Sequence, residues 1–243
     1  MELCVDIGNT NLKWARYENG LLGSVHSLRH DSREAQGLEA AWGGLPRPER
    51  IRVANVAGVA AQRMLIATTQ RLWQLPPRFA QPRQRAYGVS IAYEEPRRLG
   101  VDRWLALVAI QNAGMTPALV LDCGTAVTLD AIDGSGNHLG GLIVPGLRMM
   151  WDSLFAGTRI PVMPFKEHRA MLGRDTDECI AGGSLQAIVG MTERVRHRLN
   201  SGHDMQPQIV LTGSDARRIG DQLEFAHRYE PDLVLQGLTL LKG

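Results

Sequence analysis

Two stretches of the chain, half its length apart, carry the same pattern of apolar and polar positions: LCVDIGNTNLKW from Leu3 and LVLDCGTAVTLD from Leu119. Each begins as an apolar, β-branched-rich run, which predicts a buried strand. Each stops at Asp, one residue, Gly and then Thr, with an extra Asn in the first copy, and then resumes alternation. The pattern predicts a tight turn between two strands. Asp6 and Asp122 stand where the first strands stop. Gly8 and Gly124 admit positive φ and close backbone approach, and the neighbouring hydroxyls and amides form a concave donor surface suited to phosphate oxygens. After each second strand comes another turn, Glu18-Asn19-Gly20 or Asp133-Gly134-Ser135-Gly136-Asn137, and another apolar stretch, as in a hairpin. One such turn is an ordinary conformational device. Two predict two similar α/β domains facing each other, each supplying one phosphate-binding turn.

Between the turns, strand and helix alternate. RIRVANVAG predicts a strand, 62–74 an amphipathic helix, and 76–85 a loop rich in Pro and Arg. A short strand, a loop over 94–100 and a helix over 102–112 follow, the helix opened by Asp102 with Leu105, Val108 and Ala109 on its apolar face. Residues 114–117 read as a short link, which sets domains at 1–115 and 116–243. In the second, 146–155 and 183–199 read as helices, the latter with Leu185, Val189, Thr192, Val195 and Leu199 on one face. QIVLTGSDA predicts a buried strand ending in a small-residue turn where a nucleotide base or ribose would lie.

Composition narrows the classes. The 243 residues, 44% hydrophobic, suffice for two cores of ordinary domain size. Net charge is +2, and no dense basic run marks a nucleic-acid surface, although PRQRAYGVSIAYEEPRR gathers arginine into a local patch suited to an anionic small molecule. The amino terminus enters a strand rather than a leader, and no apolar run approaches the ~18 residues that span a bilayer, so a cytoplasmic protein without membrane or nucleic-acid partners is expected. Cys4, Cys123 and Cys179 lack C-x-x-C spacing; Cys4 and Cys123 read as small buried hydrophobes. The histidines show no metal-binding spacing, so a divalent ion would rest on carboxylates, phosphates and water, as magnesium usually does.

DIGNTNLKW, LGVDRW, DCGTAVTLD, GGLIVPG and SLQAI, in this order and spacing, resemble the type III pantothenate kinases, of the acetate kinase, sugar kinase, Hsp70 and actin superfamily. The resemblance covers essentially the whole chain. It implies two actin-like (ribonuclease H-like) domains, each with a mixed central sheet and flanking helices. It also implies ATP-dependent phosphorylation of pantothenate to 4′-phosphopantothenate, the first step of coenzyme A biosynthesis, by a homodimer with shared active sites.

The resemblance assigns roles residue by residue. Asp6, Ile7, Gly8, Asn9, Thr10, Asn11, Leu12 and Lys13 form the first phosphate motif, with Lys13 and the turn amides on the β- and γ-phosphates and Asp6 on magnesium, directly or through water. Asp122 serves a monovalent cation, K⁺ or NH₄⁺, and Thr125 touches ATP. Asp102 is the general base for the pantothenate hydroxyl, and Arg103 pairs with the pantothenate carboxylate through its planar fork. Gly100 and Val101 lend backbone contacts, Tyr93 walls the pocket, and Ser184 reaches pantothenate from the partner subunit. On the residues alone, plainer readings stand beside these: Asp turns at Asp6 and Asp122, a solvated lysine at Lys13, a helix cap at Asp102, a surface cation at Arg103, a half-buried strand aromatic at Tyr93, and an N-cap at Ser184. Ser184 replaces the Thr usual in the family, and Ser214 stands where a T-G-G adenosine loop has Gly, its Cβ narrowing access for a base. The competing functions are another small-metabolite kinase of the superfamily, which has no need of Gly100-Val101-Asp102-Arg103, and a nucleotide-binding transcriptional accessory regulator of the family.

Overall fold

The computed structural model describes residues 1–29, 34–167, 171–202 and 205–242. They fall into two compact units, Met1–Gly114 with Asp232–Gly243, and Met115–Pro231.

In the first unit the elements are β1 (Glu2–Ile7), β2 (Asn11–Glu18), β3 (Leu21–Leu22), β4 (His26–Arg29), α1 (Glu34–Trp42), β5 (Arg50–Asn55), α2 (Val59–Trp73), β6 (Arg78–Phe79), β7 (Arg85–Ala86), β8 (Val89–Ser90), a 3₁₀ turn (Pro96–Arg98) and α3 (Val101–Asn112). The main sheet runs β3-β2-β1-β5-β6, with β4 also on β2. The β1–β2 hairpin is antiparallel, with Asp6 opposite Lys13 and Ile7 opposite Leu12, whereas β5 lies parallel to β1. Leu3, Val5 and Ile7 are fully buried with Ile51, Val53, Leu65 and a tryptophan cluster in which Trp42 stacks on Trp73 at 5.6 Å. Cys4 is equally buried, so both faces of β1 are covered, which explains its unbroken apolar run.

The second unit holds β9 (Ala118–Cys123), β10 (Ala126–Ile132), β11 (His138–Pro145), α4 (Leu147–Gly157), α5 (Thr176–Gly202), β12 (Gln208–Thr212), α6 (Ala216–Gly220) and β13 (His227–Tyr229). Its sheet order is β11-β10-β9-β12-β13, with β9–β10 antiparallel and β9–β12 parallel. The path of the first sheet is repeated: a three-strand antiparallel meander, then parallel strands laid beside its first member. Leu185, Ile188, Val189 and Leu199 of α5 pack on Leu119, Leu121 and Leu129, and Thr192 is buried beside them.

Two expectations are corrected here. Assigning 116–243 to the second domain fails at its end, because α7 (Leu233–Leu240) joins the first unit. This helix is almost wholly apolar and lies on α3 so closely that a Cβ on Gly237 would stand 2.8 Å from the Leu105 carbonyl carbon. Arg52 of β5 donates to its last carbonyls, Leu238 at 3.0 Å and Thr239 at 3.1 Å. The helix expected over 183–199 starts earlier, at Thr176. Asp175 Oδ1 accepts the Glu178 N–H at 2.9 Å, and Glu178 Oε2 accepts the Arg174 N–H at 2.9 Å, which caps the helix in a D-x-x-E sequence. No described helix is long and apolar enough to cross a membrane.

Candidate functional site

The first turn is closed by the Gly8 N–H donating to the Asn11 carbonyl at 3.0 Å. Positive φ is not what Gly8 supplies; nor does Gly124, since neither is among the positive-φ glycines. The requirement at Gly8 is space: a Cβ would sit 3.2 Å from the Asn11 oxygen. Ile7 and Leu12 are fully buried, so they offer only backbone to a ligand, while Asn9 and Asn11 are exposed and Asp6 and Thr10 half-buried. Lys13, cross-strand from Asp6, reaches Asp232 of the α7 N-terminus, Nζ to Oδ1 at 3.3 Å. Asp232 holds φ at 61° in the left-handed region. Sequence reading did not single it out, since nothing local signals a partner so distant in the chain.

The start of α3 gathers Tyr93, Gly100, Asp102 and Arg103 in the same unit. Asp102 sits in the first turn with Oδ1 accepting the Arg103 N–H at 2.8 Å. That oxygen lies against Gly100, where any Cβ would collide with it, so glycine is what lets the carboxylate fold over the helix start. Arg103 is 7% exposed, which overturns its reading as a surface cation. Its Nη1 donates to the Tyr93 hydroxyl at 3.2 Å, and its guanidinium carbon lies 6.0 Å from the Tyr93 ring centre. Val101 is buried and presents backbone only. The whole of α3 from Arg103 to Ile110 is buried, rather than one apolar face of it.

In the second unit the Gly124 N–H donates to the Ala126 carbonyl at 3.1 Å, and the Gly146 N–H to the Thr125 carbonyl at 2.9 Å. Asp122 is half-buried and Thr125 exposed. Gly213 presses on this turn with φ at 93°, and a Cβ there would stand 2.5 Å from the Cys123 oxygen and 2.6 Å from Asp122 Oδ1. Gly146 is equally constrained, 2.6 Å from the Thr125 oxygen by the same construction. Asp215 joins them, its N–H donating to the Cys123 carbonyl at 2.9 Å; sequence marks the turn of Gly213 and Asp215 as a nucleotide loop but not its contact with the Asp122 turn. The signal available was Gly in the strings IVPG and LTGS. Burial raises the Asp215 carboxyl above the usual Asp range, opposed by Arg218 and reinforced by Glu167. Ser214, the departure from T-G-G, is exposed. Burial also pushes the Cys123 thiol up and the Cys4 thiol to about 12, so both are protonated, inert core residues.

Ser184 lies well inside α5, not at its start, so it is no N-cap; its hydroxyl donates to the Ile180 carbonyl at 2.8 Å and it is 8% exposed. It lines an open groove of 810 Å³ with Met150, Leu154 and Ile180, between α4 and the first turns of α5. Among the described residues no three His, Cys, Asp or Glu side chains converge as a metal cluster.

Residues 2–198 match the sequence profile of the family described as type III pantothenate kinase. A type III pantothenate kinase of Nitrosococcus oceani is 37% identical, the match covering 98% of this chain and 92% of that protein. Among solved structures, a protein described as a Baf family transcriptional activator from Campylobacter jejuni aligns with TM-score 0.64 at 19% identity, over 98% of this chain and 95% of that one. The activator of the 2-hydroxyisocaproyl-CoA dehydratase from Clostridium difficile aligns with TM-score 0.53 at 14% identity, over 98% and 92%. Likeness at such identity shows the fold alone, that of the actin-like ATPases and sugar kinases.

Proposed function

The chain belongs to the type III pantothenate kinase family, and from that membership we propose that it transfers the γ-phosphoryl group of ATP to the hydroxyl of pantothenate, the first step of coenzyme A biosynthesis. The observation that carries the assignment of residues is the cluster at the start of α3. There a half-buried carboxylate, Asp102, lies over Gly100 beside Arg103, a buried guanidinium tied to Tyr93. A buried arginine suits a ligand carboxylate, because its planar fork is preorganised for two oxygens.

In this reading Arg103 and Tyr93 hold the pantothenate carboxylate end, and Asp102 accepts the hydroxyl proton as the oxygen–phosphorus bond forms. The bond from the γ-phosphorus to the bridging oxygen breaks, and ADP leaves. Phosphoryl transfer has a loose transition state, so positioning and charge neutralisation dominate and the base assists. The Gly8-Asn9-Thr10 turn, with Lys13, receives the β- and γ-phosphates through backbone N–H groups, and Thr125 contacts ATP from the second unit. With no cluster of three metal-binding side chains among the described residues, magnesium would draw on Asp6, phosphate oxygens and water. A monovalent cation suits Asp122, whose Oδ1 lies over Gly213 in a cradle that a Cβ would fill. Magnesium supplies charge neutralisation on the transferring phosphoryl group. The open apolar groove beside Ser184, with Met149 and Leu154 exposed, supports a homodimer in which Ser184 serves the partner's site. Thiols without a disulfide suit the cytoplasm.

The test is ADP release measured with pantothenate, with acetate and with a sugar panel. Turnover on pantothenate alone is expected, and Asp102→Asn should lower kcat by about 10²–10⁴-fold. A variant that keeps more than about a tenth of wild-type kcat would make Asp102 a helix-start residue and not the base.

A further inference from the structure

Neither the phosphate turns nor the start of α3 uses the arginine-rich segment that follows α2. In the first unit it folds around a cavity of 450 Å³ that none of the proposed site residues lines. Arg50 and Arg52 of β5, Arg78 of β6, Arg83 from the following loop and Arg97 of the 3₁₀ turn all border it. The chain as a whole carries a net charge of only +2, so this is a local concentration of positive potential in a concave surface, where field lines focus.

Two of the five are committed to the fold. Arg52 binds Glu2 at 2.6 Å and the end of α7, and Arg50 shares Glu2 at 3.6 Å. Arg78, Arg83 and Arg97 are exposed, and among the described residues no carboxylate pairs with them. A separate observation concerns Trp104, which lines the same cavity. It is 1% exposed, yet its Nε1–H has no hydrogen-bond partner among the described residues. A buried donor without an acceptor costs free energy that a ligand oxygen would recover. Tyr87, also lining, is fixed with φ at 53°; its carbonyl accepts from Asn112 Nδ2 at 2.9 Å and its ring lies 6.0 Å from that of Trp104. Non-glycine residues held in this region cluster at ligand clamps.

We propose that this cavity is a second small-molecule site, for an organic compound carrying two or more phosphate groups. Arg78, Arg83 and Arg97 take the phosphates through their planar forks, Tyr87 and Phe79 flank the organic body, and the Trp104 N–H donates to a ligand oxygen. The proposal does not depend on the kinase reading, since no residue of that site takes part.

Calorimetric titration of the full chain in excess ADP, with adenosine 3′,5′-bisphosphate, pyrophosphate and citrate as probes, tests it. Saturable binding of the bisphosphate is expected, weakened about tenfold or more in Arg78→Ser/Arg97→Ser, weakened in Trp104→Phe, and unchanged in Asp102→Asn. Pyrophosphate should bind more weakly than the bisphosphate, lacking the organic body. Absence of saturable bisphosphate binding, displacement of the bisphosphate by ADP, or equal affinity in the double arginine variant would overturn the site. Citrate binding as tightly as the bisphosphate would overturn its assignment to phosphates.

Discussion

The β1–β2 and β9–β10 hairpins are built to one plan and differ in what surrounds them. Each presents an Asp at the end of its first strand, a glycine whose N–H closes the turn, and a parallel neighbour that runs into a positive-φ glycine, Gly58 in the first unit and Gly213 in the second. Around the first turn there is room. A Cβ on Gly58 would meet nothing within 4 Å, and the residue opposite Asp6 is Lys13, a cation on a long stem. The second turn is boxed in by Gly213 and Gly146, and the residue opposite Asp122 is Thr128, which carries no charge. An open turn facing a lysine suits a polyphosphate, whereas a tight turn around a carboxylate suits a fixed small ion. The strand order is the same in both sheets, and the packing around each turn is what differs.

The sharpest break in this comparison comes from the two carboxylates. Asp122→Asn should remove most activity, on the order of 10²-fold, together with any stimulation by potassium over sodium. Asp6→Asn should lose activity while keeping the potassium response and demanding more magnesium. Activity titrated against each ion in both variants decides it; loss of the potassium response in both would merge the two roles.

Next come the paired glycines. Gly58→Ala is expected to cost roughly 1–3 kcal/mol, because φ of 89° with ψ of −171° is a backbone region that essentially only glycine adopts. Gly213→Ala adds a clash with the Cys123 and Asp122 oxygens and should cost roughly 2–4 kcal/mol, with a raised KM for ATP. Denaturant unfolding of the two variants measures the gap, and equal losses would refute the difference in crowding.

A smaller effect is expected at the Lys13–Asp232 pair. Both groups are partly exposed, so Asp232→Asn should change stability by no more than about 1 kcal/mol. Lys13→Met should raise the ATP KM about tenfold or more, while Asp232→Asn should leave it near wild type. A KM raised equally by both would mean that Asp232 positions Lys13 for the phosphates.

The mildest perturbation is at Asp215. Its carboxyl is raised, chiefly by burial, so the folded state holds this proton more tightly than the unfolded chain does. The resulting stabilisation is present below the ordinary Asp pKa of about 3.9 and lost as pH rises through the raised value. Asp215→Asn should therefore raise Tm at pH 7 and give no gain near pH 3. A Tm that falls at pH 7 would show the ionised carboxylate to be engaged by a favourable partner.

How far the site could be read from sequence depended on whether a signal was local. The turns at Asp6 and Asp122 were legible because apolar period, Asp, Gly and Thr sit within a dozen residues. The helix from Val101 was legible from its period, but the burial of Arg103 was not, since its partner Tyr93 lies outside the helix. Apolar period alone puts Ser184 near a helix start, because the D-x-x-E cap at Asp175 lies upstream of that period. Gly8 and Gly124 admit positive φ, yet beside these turns it occurs at Gly58 and Gly213, one strand over. A turn's sequence specifies its own hydrogen bonds, and not which neighbouring backbone will press against it.

By itself the sequence determined the two hairpins, the strands that follow them and the residues that stand at each turn, because strand period and turn residues act over a few positions and need no distant partner. Tertiary structure alone decided that α7 belongs with the first unit, that Lys13 meets Asp232, that glycine is obligatory at 146 and 213, and that five arginines surround one cavity. Each of these rests on contacts between residues far apart in the chain, whose free energy comes from burial and close approach, and those are properties of the packed fold rather than of any segment within it.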